Sequence, residues 1–150
     1  HLPVFHTEHC VFARFMSNGN SYRDCGRPCE QHQVHLRDPA GADHLLLADV
    51  GCRNTVFNAQ AQSAAPFHQQ LCDAGIQYWR IELVDEPADQ VAPLIKGYQA
   101  LLSGQRSAAA LWRDLALIPD ANQNTQGIGT GSLAVRVEQL KAQMKKPTAR

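Results

Sequence analysis

The chain has 150 residues, which is long enough to fold without disulfide bonds or other cross-links. Of these residues 44% are hydrophobic and 19% charged, the composition of an ordinary globular protein. Its 14 Lys and Arg residues balance 14 Asp and Glu residues, so the net charge gives no argument for a nucleic-acid or membrane partner. No apolar run reaches the roughly 18 to 20 residues of a membrane span, and no secretory signal is visible.

The first third of the chain predicts short strands around one long loop. Residues 2–8 are a strand candidate, and residues 10–32, rich in Gly, Asn, Pro and Cys, predict an irregular loop with a helical turn near its start. Residues 33–38 and 44–50 are further strand candidates, separated by the turn sequence PAGAD. This spacing is typical of a hairpin, and the apolar run HLLLADV is typical of a strand buried on both faces.

The middle of the chain predicts a helix, a strand and a second helix. Residues 63–75 form the first helix candidate, with Ser63 as its N-cap and Gly75 as its stop. The β-branched and aromatic content of residues 76–84, IQYWRIELV, favours a strand. Residues 91–102 carry one apolar stripe at helical spacing, which is the clearest helix signal in the sequence.

The end of the chain predicts a weaker helix over 108–117, a polar loop over 119–131 and a last helix that begins near Ser132. The order of strands and helices from residue 44 onward predicts an α/β fold, in which helices cover a mostly parallel sheet. The strands are too few to close an eight-fold barrel, so we expect a partial, barrel-like (β/α) segment. We expect residues 1–104 to form this α/β core and residues 105–150 a helical tail.

The start of the chain and its cysteines bear on its origin. The sequence opens in the apolar stretch HLPVFH without an initiator methionine, so we expect the C-terminal part of a longer protein, with the missing N-terminal part as its partner. Five cysteines are an odd number, which argues against a secreted disulfide framework and for reduced thiols in the cytoplasm. Unpaired strand edges in such a piece favour self-association, so a homo-oligomer is also expected.

Four of the five cysteines lie close together in the sequence, with the spacing C-x14-C-x3-C-x22-C: Cys10, Cys25, Cys29 and Cys52. Cys10 and Cys52 each follow a predicted strand, and the carboxyl ends of parallel strands meet at one edge of a sheet. In the segment CGRPC, Gly26 permits close backbone approach and Pro28 stiffens the turn, so two thiolates can face one centre. The sequence therefore predicts that four thiols meet around a metal.

The type of metal stays open at this point. Structural zinc is usually held by tight Cys pairs, of which this sequence has one, whereas a four-iron cluster tolerates scattered thiolates. Unconnected core or loop cysteines are the third interpretation. The fifth cysteine, Cys72, lies on a predicted helix, where a small buried hydrophobic role is expected.

Several polar residues are candidates for catalysis or for substrate binding. His6 and His9 flank Glu8 just before the first thiol in FHTEHC, where proton transfer or substrate orientation would be their role; hydrogen-bonded structural histidines are the alternative. Arg53 and Asn54 follow Cys52 at a predicted strand-to-helix junction, which suits anion or amide recognition. Helix capping by Asn54 is the alternative.

One further candidate for substrate binding is Arg80, which shares a face of a predicted strand with Glu82. An ion pair between these two side chains is the simpler interpretation.

Four segments of the chain together resemble the peptidase U32 family, the collagenase-like proteins: PVFHTEHCVFARF, DCGRPCEQH, ADVGCRNTVFNAQAQS and RIELVDE. The resemblance covers residues 2 to about 104 and is looser in the tail. It implies a barrel-like α/β fold.

The resemblance also implies an activity and a cofactor. Some members are named for proteolysis, and others are oxygen-independent hydroxylases of RNA bases or of ubiquinone precursors, linked to a four-iron (4Fe–4S) cluster on four cysteines. The matching thiols here are Cys10, Cys25, Cys29 and Cys52, although the sequence has VFAR where some members carry a further cysteine. We therefore expect a cytoplasmic hydroxylase that acts on RNA or a small molecule. A U32-type peptidase and a non-catalytic, metal-stapled binding module are the alternatives.

Overall fold

Short connections between strands determine the topology of the first part of the chain. The computed structural model describes residues 1–119, 125 and 127–133. The chain divides into two units, His1–Ala59 and Gln60–Arg150. The predicted domain boundary near residue 104 lies inside the second unit.

The first unit contains one four-stranded sheet. Its strands are β1 (Pro3–Thr7), β2 (Val34–Arg37), β3 (Asp43–Ala48) and β4 (Asn54–Phe57). The spatial order is β1-β4-β3-β2, and all neighbouring pairs are antiparallel. The hairpin predicted from the PAGAD turn is confirmed as the pair of β2 with β3.

The predicted partial (β/α) barrel with a mostly parallel sheet is wrong. The turns 38–42 and 49–53 are too short for a crossover connection, which needs a dozen or more residues, so β2, β3 and β4 can only pair antiparallel. In the described part of the chain, the sole parallel pairing joins the two-residue strands β5 (Ala61–Gln62) and β6 (Ile128–Gly129).

The sequence prediction failed at two strands. β4 lies where a strand-to-helix junction was expected, because its four residues carry too little pattern to be distinguished from a helix start. Residues 76–84 were expected to form a strand, but they have no regular secondary structure and include the 91% exposed Tyr78.

One side of the sheet carries the core of the first unit. Phe12, Leu46 and Val56 form this buried cluster, and the first of them comes from helix α1 (Val11–Met16). The partly buried residues packed against the cluster are Cys10, Val11, Cys29, Val34 and Leu36. Two of the four candidate thiols therefore lie on one apolar surface.

The two chain ends of the first unit lie side by side. The Nδ1 atom of His1 is 2.7 Å from the carbonyl oxygen of Asn58, and the Asn58 amide donates to the Leu2 carbonyl at 2.8 Å. These contacts extend the pairing of β1 with β4 beyond Pro3.

The second unit is mainly helical. It contains α2 (His68–Asp73), preceded by the 3₁₀ helix Ala65–Phe67, then α3 (Ala88–Leu102) and α4 (Ala108–Leu115). Its buried core consists of Ala65, Leu101, Leu111 and Leu115.

The helices predicted over 63–75, 91–102 and 108–117 are confirmed with shifted ends. The predicted last helix, beyond residue 133, lies outside the described residues. No helix in the described ranges has the length and apolar character required to cross a membrane.

Candidate metal centre at one end of the sheet

The four candidate thiols flank the same end of the antiparallel sheet. The register pairs Thr7 with Asn54, Asn54 with Ala48 and Leu46 with Val34, so this end holds the last residues of β1 and β3 and the first residues of β2 and β4. The thiols follow β1, precede β2 and precede β4: Cys10, Cys25, Cys29 and Cys52. The sequence analysis expected thiols at one edge because parallel strands end together. In the structure the strands alternate in direction instead, and this alternation brings the end of β1 and the starts of β2 and β4 to the same end of the sheet.

The Cys10 sulfur is held at the start of α1. Cys10 is the N-cap, and its Sγ accepts from the Ala13 backbone N–H at 3.4 Å. A second donor, the Nδ2 of Asn54, lies 3.9 Å from the same sulfur, and the Oδ1 of Asn54 accepts from the Val11 N–H at 2.5 Å. These contacts fix the first thiol against the beginning of β4.

The loop that carries Cys25 is tightly folded. A Cβ at Gly19 would lie 2.4 Å from the Asp24 carbonyl oxygen and 2.6 Å from the Cys25 Cα, so only glycine fits there. The Asp24 carboxylate accepts from the N–H groups of Asn20 and Ser21, and these bonds hold the pKa of Asp24 below its usual value. The loop backbone therefore has a defined path up to the second thiol.

The segment CGRPC then turns through two left-handed residues. Gly26 has φ of 68° and Arg27 has φ of 52°, and the Arg27 N–H donates to the Cys25 Sγ at 3.4 Å. The following 3₁₀ helix Pro28–Glu30 brings Cys29 onto the core cluster. The turn at Pro28 is thus visible in the fold. The close backbone approach expected at Gly26 is not, because a Cβ there would meet nothing within 4 Å; the positive φ is what favours glycine.

Burial and neighbouring thiols act together on Cys29. Burial raises the pKa of the Cys29 thiol, and the charges of Cys10 and Cys25 raise this pKa further. The same two thiols are therefore near enough to Cys29 to influence its ionisation.

Cys52 occupies the turn between β3 and β4. Its backbone φ is 62°, and its N–H donates to the Asp49 carbonyl at 3.1 Å. Gly51, with φ of 82°, precedes it. The turn thus places the fourth thiol two residues before β4, whose first residue is Asn54.

The donor set fits a thiolate-bound metal in type and in placement, but not in detailed position. Among the described residues, no three His, Cys, Asp or Glu side chains are gathered closely enough to hold a metal ion. All four thiols are partly buried. In the described conformation, Cys10, Cys29 and Cys52 lie on segments that adjoin one end of the sheet, and their side chains form no ligand shell.

His6, Glu8 and His9, the three ionisable residues that precede Cys10, are exposed, and the two histidines contact different groups. His6 pairs with Thr55 across β1 and β4, and its Nδ1 lies 2.8 Å from the Thr55 hydroxyl. Glu8 and His9 follow the end of β1, where the His9 carbonyl accepts from the Thr7 hydroxyl. The predicted acid–base group therefore lies on the β1 edge of the sheet, next to the first thiol.

The three residues predicted to bind substrate differ in exposure. Arg53 is half exposed and lies 3.7 Å from the Asp49 carboxylate, while Arg80 pairs with Glu82 at 2.5 Å in the second unit. This is the ion pair that formed the simpler interpretation of Arg80. The Asn54 side chain is fully buried and directed towards α1 and Cys10.

Two features were missed by the sequence analysis. Cys72 is exposed on α2, which buries no residue, so the expected buried role of this thiol is wrong. An open depression of about 500 Å³ lies in the loop between α1 and β2, lined by Tyr22, Arg23, Gly26, Arg27 and Glu30. In the sequence, the adjacent Tyr-Arg pair is the one signal for this depression, since the guanidinium of Arg23 lies 5.5 Å from the Tyr22 ring centre.

No protein-family model matches the chain, and no curated protein or solved structure is similar to it at a significant level. The U32 resemblance stays a prediction from the segments quoted above.

Proposed function

We propose that this chain is the cluster-bearing part of a U32-type, iron–sulfur-dependent hydroxylase. The observation that supports the proposal is the position of Cys10, Cys29 and Cys52 next to strands that share one end of a single antiparallel sheet, with Cys25 in the same loop as Cys29. Two of these thiols, Cys10 and Cys29, pack on the same apolar cluster. A buried, apolar surrounding limits access of water to a cluster and so influences its reduction potential.

In this proposal the four thiolates hold a 4Fe–4S cluster, which supplies one-electron chemistry when bound. His6, Glu8 and His9 lie on the exposed β1 edge beside Cys10, where they would orient substrate and move protons. Arg53 is exposed next to Cys52 and would contact an anionic part of the substrate, and Arg80 remains a weaker candidate for that contact.

The substrate class follows from the resemblance and from the chain's surface chemistry. An RNA base or a quinone precursor is the proposed substrate, and the reaction would take place in the cytoplasm. The depression lined by Arg23 and Arg27 lies in the loop that carries Cys25, which supports an anionic or aromatic substrate near the thiols.

Metal analysis of anaerobically prepared protein tests the proposal. We expect about four iron per chain and a brown colour, because a cubane cluster is held by four thiolates. Replacing any one of Cys10, Cys25, Cys29 or Cys52 by Ser should lower the iron content severalfold. The matched control is Cys72→Ser, at an exposed thiol of the second unit, which should leave the iron content unchanged.

A colourless protein with stoichiometric zinc would contradict the proposal. Iron content that survives all four substitutions would contradict it as well.

A specific observation favours a second candidate, a non-catalytic module that binds RNA or protein. Two thiols already accept backbone hydrogen bonds of their own, Cys10 from Ala13 and Cys25 from Arg27, as structural cysteines do. In this candidate a cluster or zinc only staples the binding loop, and retained partner binding with no turnover in the full-length protein would favour it. The peptidase alternative stays a prediction, and we base no mechanism on it.

A further inference from the structure

Asn54 is a polar side chain in a fully buried position. Its exposed fraction is 0%, and it is the first residue of β4, paired with Thr7 on one side and Ala48 on the other. A buried amide left without partners would be costly, so its contacts show what the position requires. They extend 43 residues back along the chain, to Val11.

The oxygen and the nitrogen of the Asn54 side-chain amide contact different groups. The Oδ1 accepts from the Val11 N–H at 2.5 Å, which ties the first residue of α1 to the sheet. The Nδ2 donates to the Arg53 carbonyl at 2.9 Å and lies 3.9 Å from the Cys10 sulfur. An aspartate, serine or threonine could satisfy the Val11 N–H, but only an amide also places an N–H beside the sulfur.

We propose that Asn54 is a positioning residue for Cys10. It holds the thiol in place by binding the residue that follows it, and it donates a hydrogen bond to the sulfur. Hydrogen bonds to ligand sulfurs set the reduction potential of an iron–sulfur cluster. The effect on potential rests on the proposed function, whereas the positioning of the thiol does not.

Metal-free full-length chain tests the positioning. In Asn54→Ala we expect exchange of the Val11 amide to accelerate at least about tenfold, because its acceptor is gone. Alkylation of Cys10 by iodoacetamide, relative to exposed Cys72 in the same chain, should rise about fivefold, because the sulfur is released. Asn54→Asp keeps the Val11 acceptor, so the amide stays protected. The carboxylate facing the sulfur should slow Cys10 alkylation about fivefold.

Iron-loaded chain tests the hydrogen bond to sulfur. Asn54→Asp removes the donor and adds negative charge, and both changes disfavour the reduced cluster. We expect the equilibrium between reduced and oxidised cluster to shift about tenfold towards the oxidised form, which is about 59 mV for a one-electron couple. The control is Gln99→Glu, the same amide-to-carboxylate change on an exposed side chain of α3 in the second unit, with wild-type values expected in every measurement.

The outcomes separate this proposal from the proposed function. If wild-type chain binds no iron, the proposed function fails, and the metal-free measurements still decide the role of Asn54. Wild-type Cys10 alkylation in both Asn54 variants overturns the positioning role, and an unchanged potential in Asn54→Asp overturns the hydrogen bond to the cluster. If Asn54→Ala does not fold, the near-isosteric Asn54→Asp still supplies the Cys10 alkylation rate and the reduction potential, and an unchanged value of both overturns the proposal.

Discussion

Cys52 occupies a backbone conformation in which glycine is the favoured residue. Its φ of 62° lies in the left-handed region, where a side chain costs roughly 1–2 kcal/mol. The preceding Gly51 has a positive φ without that cost. The proposed ligand role would account for a thiol at this strained position, where a contribution to stability would not.

We expect Cys52→Gly to stabilise the metal-free protein by about 0.5–1 kcal/mol, because glycine relieves the strain but loses more chain entropy on folding. Amide exchange of β3 and β4 measures this free energy of opening. The control is Cys72→Gly in α2, where glycine should cost about 1 kcal/mol of local helix stability. A destabilised Cys52→Gly variant would show that the thiol itself supports the turn.

A second residue-level effect concerns Asp38 in the turn between β2 and β3. Its Oδ1 accepts from the N–H groups of Ala40 and Ala42, and its Oδ2 lies 3.3 Å from the His44 Nε2. The backbone bond from Ala42, followed by the bond from His44, holds the pKa of Asp38 below its model-compound value of 3.8. The stabilisation is therefore complete above that value and is lost as the pH falls through the lowered pKa.

We expect Asp38→Asn to destabilise the hairpin at neutral pH and to flatten its dependence on acid, because the asparagine cannot titrate. Amide exchange in β2 and β3, followed from about pH 7 down to about pH 3, measures both effects. The matched control, Asp73→Asn at the end of α2, should leave the hairpin's acid response as in wild type. An undiminished acid response in Asp38→Asn would contradict the role of this carboxylate.

At the level of whole elements, helices could be predicted more fully than strands. The stripe over 91–102 predicted α3 because a helix forms its hydrogen bonds within one segment. A strand needs a partner from elsewhere: residues 76–84 have strand composition, but they pair with no strand in the described part of the chain. The partners of β1 and β4 are 47 to 54 positions apart in sequence, which no local pattern encodes.

The candidate site likewise combines features that the sequence could predict with features that depend on distant contacts. The positions of predicted strands placed Cys10 and Cys52 at one edge of the sheet, and these two thiols do lie beside the same end of β1 and β4. The gathering of all four thiols around one metal stays a prediction. The buried amide of Asn54 and the close packing at Gly19 depend on contacts between distant or tightly folded segments. Neither is visible in a single sequence.

The attachment of α3 to the start of the second unit can be tested at Tyr98. Its hydroxyl lies 2.6 Å from that of Ser63, which accepts from the Ala65 N–H. Burial raises the pKa of Tyr98 above its model-compound value of 10.0. We expect Tyr98→Phe to lower the free energy of unfolding by about 1 kcal/mol, measured in urea by the fluorescence of Trp112 in α4.

The matched control for Tyr98 is Tyr78→Phe, which removes a hydroxyl from a 91% exposed side chain. We expect a change within about 0.5 kcal/mol there. Equal effects of the two substitutions would show that the bond to Ser63 contributes nothing measurable.

At the scale of the molecule, the first unit has a small core. Among its described residues, Phe12, Leu46 and Val56 form the one buried cluster, under a sheet of short strands. Units of about 60 residues are only marginally stable, and metal ligation adds directly to their folding free energy. The proposed cluster would thus stabilise the first unit in particular.

We expect iron loading to slow amide exchange throughout residues 1–59 by about tenfold or more, and to leave α3 and α4 unchanged. Exchange of metal-free and loaded chain, compared by mass spectrometry, measures the difference. Cys25→Ser should abolish the gain, whereas Cys72→Ser should preserve it. Equal protection of both units on loading would contradict a centre confined to the first.

The adjacency of His1 and Asn58 has a consequence for protein engineering. A polypeptide that enters and leaves a unit at neighbouring points can be circularly permuted, or spliced as a cassette into a surface loop of a host protein. Cys10, Cys29 and Cys52 lie near the opposite end of the strands from the contact between His1 and Asn58. Residues 1–59 are therefore a unit that can be inserted into another protein with its thiols away from the points of insertion.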